Sequence, residues 1–254
     1  MLDLPPMEVN DDSLGRQLFR DASGQEAIVF DPMRLSQAGP ALFSPNAYGD
    51  SARMVLGQGG RGSAWFVRGE FGAGVLRHYR RGGWMARLSD DAFLWRGQTH
   101  VRSFNEFALL TELTRASLPV PAPIAAYYRK ANGRCRAAIL VTRIYAVANF
   151  VASVAQSPRS APWSAAGKAI AQCHRARAHH ADLNGHNLLV DGAGEVHVID
   201  WDKGRIEATV GNWCRRSLDR LERSLHKHCP QVPAERIAEG MVELRGRHDV
   251  ELRS

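Results

Sequence analysis

Three oxygen-bearing side chains stand close together in the second half of this 254-residue chain: Asp182, Asn187 and Asp200. An alcohol is a poor nucleophile and needs a carboxylate to orient it and take its proton, and Asp182 suits that work. Magnesium takes oxygen ligands and keeps several waters, so an amide oxygen and a carboxylate from adjoining segments make a fitting pair. Asn187 and Asp200 are that pair, and Asn187 also belongs to the catalytic loop that bears Asp182. The stretch between them, Leu188 to Ile199, reads as a small hairpin that returns the chain to its start.

The surrounding pattern is more specific than any single residue. His180-Ala181-Asp182-Leu183-Asn184-Gly185-His186-Asn187 has the form H-x-D-L-x-x-x-N, the catalytic loop of kinases. Val198-Ile199-Asp200-Trp201-Asp202 follows, with Trp-Asp where a protein kinase has Phe-Gly. A lone loop aspartate is usually a turn or cap residue, but four spaced polar residues with an apolar strand and a terminal aspartate match together. Asp202 is read as a backbone-binding residue or a second metal contact. His180 is expected to pack and hydrogen-bond the loop. His186 is a candidate neighbour of the acceptor or an ordinary loop histidine. Ala181 stands where many protein kinases carry an arginine that answers an activation-loop phosphate, which points to a constitutive enzyme.

Such a loop needs a nucleotide site upstream. Gly57, Gly59, Gly60 and Gly62 cluster in a predicted hairpin and are expected to cover the phosphates with backbone N–H groups, Gly59, Gly60 and Gly62 foremost. The usual strand lysine is missing, because no lysine precedes Lys130. Arg77, in VLRHY, occupies its place and is expected to bind phosphate, with Glu106 as its helix partner. Arginine pairs with phosphate or carboxylate bidentately, in a geometry unlike that of lysine.

The elements that must hold these residues are legible in outline. Ala27 to Phe30 reads as a strand, Leu42 to Tyr48 as a helical turn, and 55 to 80 as a glycine-rich hairpin. Phe104, Phe107, Leu110 and Leu113 recur at helical spacing, with Glu106 off that stripe. Prolines at 119, 121 and 123 force an extended segment. Ala125 to Tyr128 and Ala137 to Ile144 read as strands joined at Asn132-Gly133. Trp163 to Arg177 is a helix with Ala166, Ile170 and Cys173 on one face, and the chain from Trp213 onward is helical. The fold class expected is α+β: a β-rich N-lobe over 1–143 with one main helix, and an α-rich C-lobe over 144–254, hinged near Arg143 to Ala146.

Composition narrows the partners. A formal charge of +7 favours anions, and nearly all of it is arginine, since only Lys130, Lys168, Lys203 and Lys227 are lysines. No pair of the four cysteines has CxxC spacing, so no zinc or redox motif is suggested. No RNP motif or zinc finger accompanies the charge, so no nucleic-acid partner is expected. The apolar runs fall far short of a spanning helix, and the acidic, proline-bearing N-terminus lacks a signal peptide's features. Arg216, Arg220, Arg223 and Lys227 fall on one face of a predicted helix, read as a solvated face, an anionic-membrane contact or a grip on a lipid phosphate. Arg80, Arg81, Arg175 and Arg177 are expected to add charge near the cleft.

The strings GRGSAWFV, VLRHYRRGG, RSFNEF, LPVPAPIAA, HHADLNGHNLL and VIDWDKG together resemble the 3-deoxy-D-manno-octulosonic acid (Kdo) kinases, which belong with the bacterial lipopolysaccharide core sugar kinases. The likeness runs from about Gly59 to Gly204. It implies a protein-kinase-like fold and an ATP- and magnesium-dependent transfer of phosphate to the 4-hydroxyl of Kdo on the lipid A precursor. It also implies a peripheral place on the cytoplasmic face of the bacterial inner membrane. Carried onto this chain, it makes Asp182 the catalytic aspartate, Asn187 and Asp200 the metal ligands, and Arg77 the replacement for the lysine. The alternatives are another sugar or small-molecule kinase of the same fold, and a catalytically inactive kinase-like binding module.

Overall fold

A computed structural model of the chain describes residues 17–20, 25–55, 64–79 and 93–254. The glycines expected to cover the phosphates, Gly57, Gly59, Gly60 and Gly62, lie outside the described residues, as do Arg80 and Arg81. The chain forms two compact units. One holds the described residues as far as Thr111 together with Ala122–Arg143; the other holds Glu112–Pro121 and Ile144–Ser254.

The first unit is built on an antiparallel sheet. Its strands are β1 (Gln17–Arg20), β2 (Glu26–Phe30), β3 (Arg53–Met54), β4 (Ala64–Gly69), β5 (Gly72–His78), β6 (Phe93–Leu94), β7 (Pro123–Ala131) and β8 (Arg134–Thr142). The order is β1-β2-β7-β8-β5-β4-β3, with β6 on the far end of β8. Asn132 and Gly133 close the β7–β8 hairpin with φ of 49° and 70°, the left-handed pair that a two-residue turn requires. Ile28, Phe30, Leu76, Ile124 and Leu140 pack on one face, where two 3-10 turns (Pro40–Phe43 and Pro45–Ser51) bring Phe43 to stack on Tyr127 at 5.0 Å. Strand side chains alternate faces, so inward Leu76 puts Arg77 and Tyr79 on the other side. There they meet helix α1 (Arg102–Arg115).

The second unit runs β9 (Ala146–Asn149), α2 (Phe150–Gln156), α3 (Trp163–Arg175), β10 (Ala178–His179), β11 (Leu188–Asp191), β12 (Val196–Val198), β13 (Arg205–Ile206), α4 (Asn212–His228) and α5 (Ala234–Arg253). Sequence periodicity did not mark β9 and α2, which are too short for it. The signal that was available is a cap: Asn149 Oδ1 accepts the Ala152 N–H at 2.9 Å. The β11–β12 hairpin turns on Asp191, whose Oδ1 accepts the amides of Ala193 (2.9 Å) and Glu195 (3.0 Å). Pro119, from the proline-bearing segment, accepts the Val198 N–H at 2.8 Å and so anchors β12.

Helices α3 and α5 pack closely because two glycines give them room. A Cβ on Gly167 would meet the Leu244 carbonyl, and one on Gly240 would meet the Trp163 indole. Ala166, Ile170 and Cys173 are buried on α3 as expected, and all four cysteines are free and buried. His174 Nδ1 lies 2.8 Å from His248 Nε2 in the same interface. With His248 Nδ1–H donating to Asp249 (3.2 Å), the His174 Nδ1–H donates to His248 Nε2, and both rings are neutral. Burial lowers the His174 pKa to about 3, helped by His248, His179 and His180.

Two outcomes follow from this packing. Gly240→Ala should lower stability by about 1–3 kcal/mol or more in urea denaturation, since Trp163 is walled in and cannot step aside. His174 should also make the protein acid-sensitive. Above its unfolded pKa of about 6.5 it is neutral in both states; below that only the unfolded chain takes the proton, so stability falls as pH drops toward the folded value. The slope between pH 6.5 and 5 should be shallower in His174→Phe, by at most about 1.4 kcal/mol per pH unit.

Candidate functional site

In the second unit, backbone hydrogen bonds join the two ends of the β11–β12 hairpin. The Ile199 N–H donates to the Asn187 carbonyl at 2.9 Å, and His180 Nε2–H donates to the Ile199 carbonyl at 2.9 Å. One residue, Ile199, therefore ties together the two ends of the 180–187 loop directly before Asp200. Asp200 has a φ of 66°, in the left-handed region that a non-glycine residue enters at a cost of about 1–3 kcal/mol. Trp201, 1% exposed, donates from Nε1 to the Val198 carbonyl (3.0 Å) and lies edge-on to His180, ring centres 4.9 Å apart. The strained residue is thus held from both sides. His180 is itself buried, which pushes its pKa down, against the opposing pull of the Ile199 carbonyl, Asp200 and Asp182.

The loop is internally braced. Asn184 Nδ2 and Asn187 Nδ2 both donate to the Asp182 carbonyl, at 2.9 and 3.0 Å, and Asn184 Oδ1 accepts the His186 N–H at 3.0 Å. Leu183 is buried beneath it, while the Asp182 side chain stays 64% exposed. A carboxylate held by its own backbone but open to solvent suits contact with an acceptor. The N–H edge of the Asn187 amide is committed to Asp182, which leaves its oxygen edge to meet a cation. Among the described residues no group of three or more His, Cys, Asp or Glu could hold a metal. An amide oxygen and a carboxylate, as on Asn187 and Asp200, are instead the sparse type of donors that magnesium completes with phosphate and water.

Helix α4 forms a wall along this loop, and sequence reasoning did not place it there. Arg220 Nη1 lies 3.8 Å from Asp182 Oδ1, Ser224 Oγ accepts the Gly185 N–H at 3.3 Å, and His228 meets His186 with ring centres 4.7 Å apart. These contacts recur at i, i+4 and i+8, one line along a helix. A Cβ on Gly185 would strike Val151 and Leu225, so only glycine lets the loop approach so closely. The four-residue spacing of Arg220, Ser224 and His228 was the available signal; of the three, only Arg220 was read, as part of the basic stripe. Arg175 and Arg177 are engaged within the unit, Arg175 with Glu251 (3.1 Å to its carbonyl) and Arg177 with the Ala208 carbonyl (3.1 Å).

In the first unit, Arg77 Nη2 contacts Glu106 Oε1 at 2.5 Å and Oε2 at 2.7 Å. Tyr79, one strand step on, also donates to Glu106. Glu106 lies off the apolar stripe of α1 yet is 2% exposed, because these two partners satisfy it in the interior. Burial, reinforced by the Glu106 charge, holds the Tyr79 pKa well above its usual value, so the phenol stays a neutral donor. Tyr79 was not singled out by sequence; its i+2 relation to Arg77 was the clue.

Comparison with known proteins agrees with this arrangement of motifs. The model of the lipopolysaccharide kinase (Kdo/WaaP) family matches residues 47–240. The chain belongs to the lipopolysaccharide kinase (Kdo/WaaP) family. A protein of Stenotrophomonas maltophilia (strain K279a) named 3-deoxy-D-manno-octulosonic acid kinase is 48% identical over 231 residues, 91% of this chain and 92% of that protein. One of the same name from Xanthomonas campestris pv. campestris (strain B100) is 47% identical over 209 residues, 82% and 84% of the two chains. A solved structure, WaaP in complex with acyl carrier protein, aligns with a TM-score of 0.48 at 13% identity, over 93% of this chain and 98% of that one. Family membership rests on the sequence matches. The motifs carried by this lipopolysaccharide kinase sequence, from Arg77 to Asp200, fall inside the matched span.

Glu106→Gln should destabilise the protein by about 2–4 kcal/mol in urea denaturation, somewhat below a wholly buried pair because Arg77 keeps 23% exposure. Tyr79→Phe should cost about 1–3 kcal/mol, the range for an unsatisfied buried acceptor.

Proposed function

We propose that this protein is a 3-deoxy-D-manno-octulosonic acid kinase of lipopolysaccharide core biosynthesis, moving the γ-phosphate of ATP to the 4-hydroxyl of Kdo on the lipid A precursor. The observation that supports it most is 48% identity across more than nine-tenths of a relative bearing that name. In the proposed reaction the acceptor oxygen bonds to the γ-phosphorus as the bond from phosphorus to the β,γ-bridging oxygen breaks. ADP leaves with that electron pair, and the hydroxyl proton passes to Asp182. Asn184 and Asn187 keep the Asp182 backbone fixed while this happens. Asn187 and Asp200 would hold magnesium, which would neutralise charge on the phosphates. Arg77, oriented by Glu106 and Tyr79, would face the nucleotide phosphates with Gly59, Gly60 and Gly62. The 1–143 part would then serve ATP and the 144–254 part the acceptor.

No helix among the described residues is long and apolar enough to cross a membrane. A peripheral place on the cytoplasmic face of the inner membrane suits an enzyme whose acceptor is a glycolipid, and exposed Ile206 and Val210 beside basic α4 suit it too. The test is mass spectrometry of the Kdo-bearing lipid A precursor after incubation with enzyme and MgATP. A gain of one phosphate on the Kdo residue is expected. Asp182→Asn should lower kcat by about 100-fold or more while ATP still binds, the range for loss of a positioned general base. Absence of magnesium-dependent transfer by the unaltered protein would favour an inactive kinase-like binding module; transfer to a different sugar alone would favour another kinase of this fold.

A further inference from the structure

Most of the basic charge on α4 lies along one stripe. The helix's two carboxylates, Asp219 and Glu222, both bind Arg245 of α5 at 2.9 Å. Arg216, Arg220, Arg223 and Lys227 fall within about 60° of one another at 100° per residue, and all four are exposed. Asp219, next to this stripe on α4, is engaged by Arg245, while Asp182 of the loop lies 3.8 Å from Arg220. That pair is loose: no hydrogen bond joins it, and its side chains are 51% and 64% exposed. Exposed pairs of this kind contribute little, about 0–1 kcal/mol, so Arg220 can turn to another anion at small cost. Ser224 and His228, the next two positions on the line, keep α4 against the loop, so the guanidinium stays within one side chain's reach of the candidate base.

The acceptor named for the relatives is itself an acid, so an anion must come beside the anionic Asp182. Like charges at such range repel unless a cation stands between them. We infer that Arg220 reads the carboxylate of the acceptor sugar, setting its hydroxyl against Asp182 and selecting acidic sugars over neutral ones. This rests on the proposed reaction and adds the residue that determines its specificity. Arginine suits the task because its planar fork binds a carboxylate through two parallel N–H donors.

A two-by-two comparison of kcat/KM tests it: wild type and Arg220→Ala, each with the Kdo-bearing lipid A precursor and with the methyl ester of its Kdo carboxyl. Wild type should prefer the acid by about 10- to 100-fold, as for a charge-assisted contact, and the preference should vanish in Arg220→Ala. Arg220→Lys should restore part of it, and thermal melts of both variants should match wild type because the residue is exposed. An equal loss on acid and ester would make Arg220 a support for Asp182 or a phosphate contact, and would overturn the inference. An unchanged preference in Arg220→Ala would do the same. Were wild type to phosphorylate neither acceptor, the reaction itself would be wrong, which separates the two failures.

Discussion

The backbone of one residue, Ile199, supports the arrangement on which the rest depends. Its N–H is taken by Asn187 and its C=O by His180, so the 180–187 loop and the end of β12 cannot drift apart without losing both bonds. The next residue, Asp200, sits in a backbone conformation that L-residues avoid. Such strain persists only where the surroundings over-determine it. Here buried His180 and Trp201 provide those surroundings, packed ring to ring directly below the junction.

The remaining architecture serves that junction. The β11–β12 hairpin, closed by Asp191 and anchored through Pro119, sets how far apart its ends lie. Helix α4 braces the loop from one side through Gly185, Ser224 and the His186–His228 pair. Helix α3 leads into the loop, and its close approach to α5 depends on Gly167 and Gly240. In the other unit a comparable economy of parts fixes Arg77: a buried glutamate, a neutral tyrosine and the two-residue period of a strand. Arg77 keeps a cation in contact with the helix glutamate through a planar donor fork that lysine lacks.

The outcome for the inferred elements varied with their physics. The β7–β8 hairpin was legible because Asn-Gly demands a left-handed turn, and α3 because its apolar face repeats at helical spacing. The short elements β9, α2, β10 and β13 were not, since two to seven residues carry too few periods to register. Glu106 was identified as Arg77's partner by motif; that it is buried follows from contacts more than 25 residues away along the chain.

The sequence by itself marked out the candidate set. Asp182, Asn187 and Asp200 are close in the chain and linked by one short hairpin, so local spacing brings their backbone segments together. The tertiary structure alone decided what stands beside them. Arg220 lies 38 residues beyond Asp182, and a basic helical stripe looks alike in sequence whether it faces water, a membrane or a catalytic loop. Only the packing of α4, with its carboxylates drawn toward Arg245 and its small Ser224 against Gly185, turns that stripe toward Asp182. Contacts between distant segments are set by the whole core, and no local pattern of charge records them.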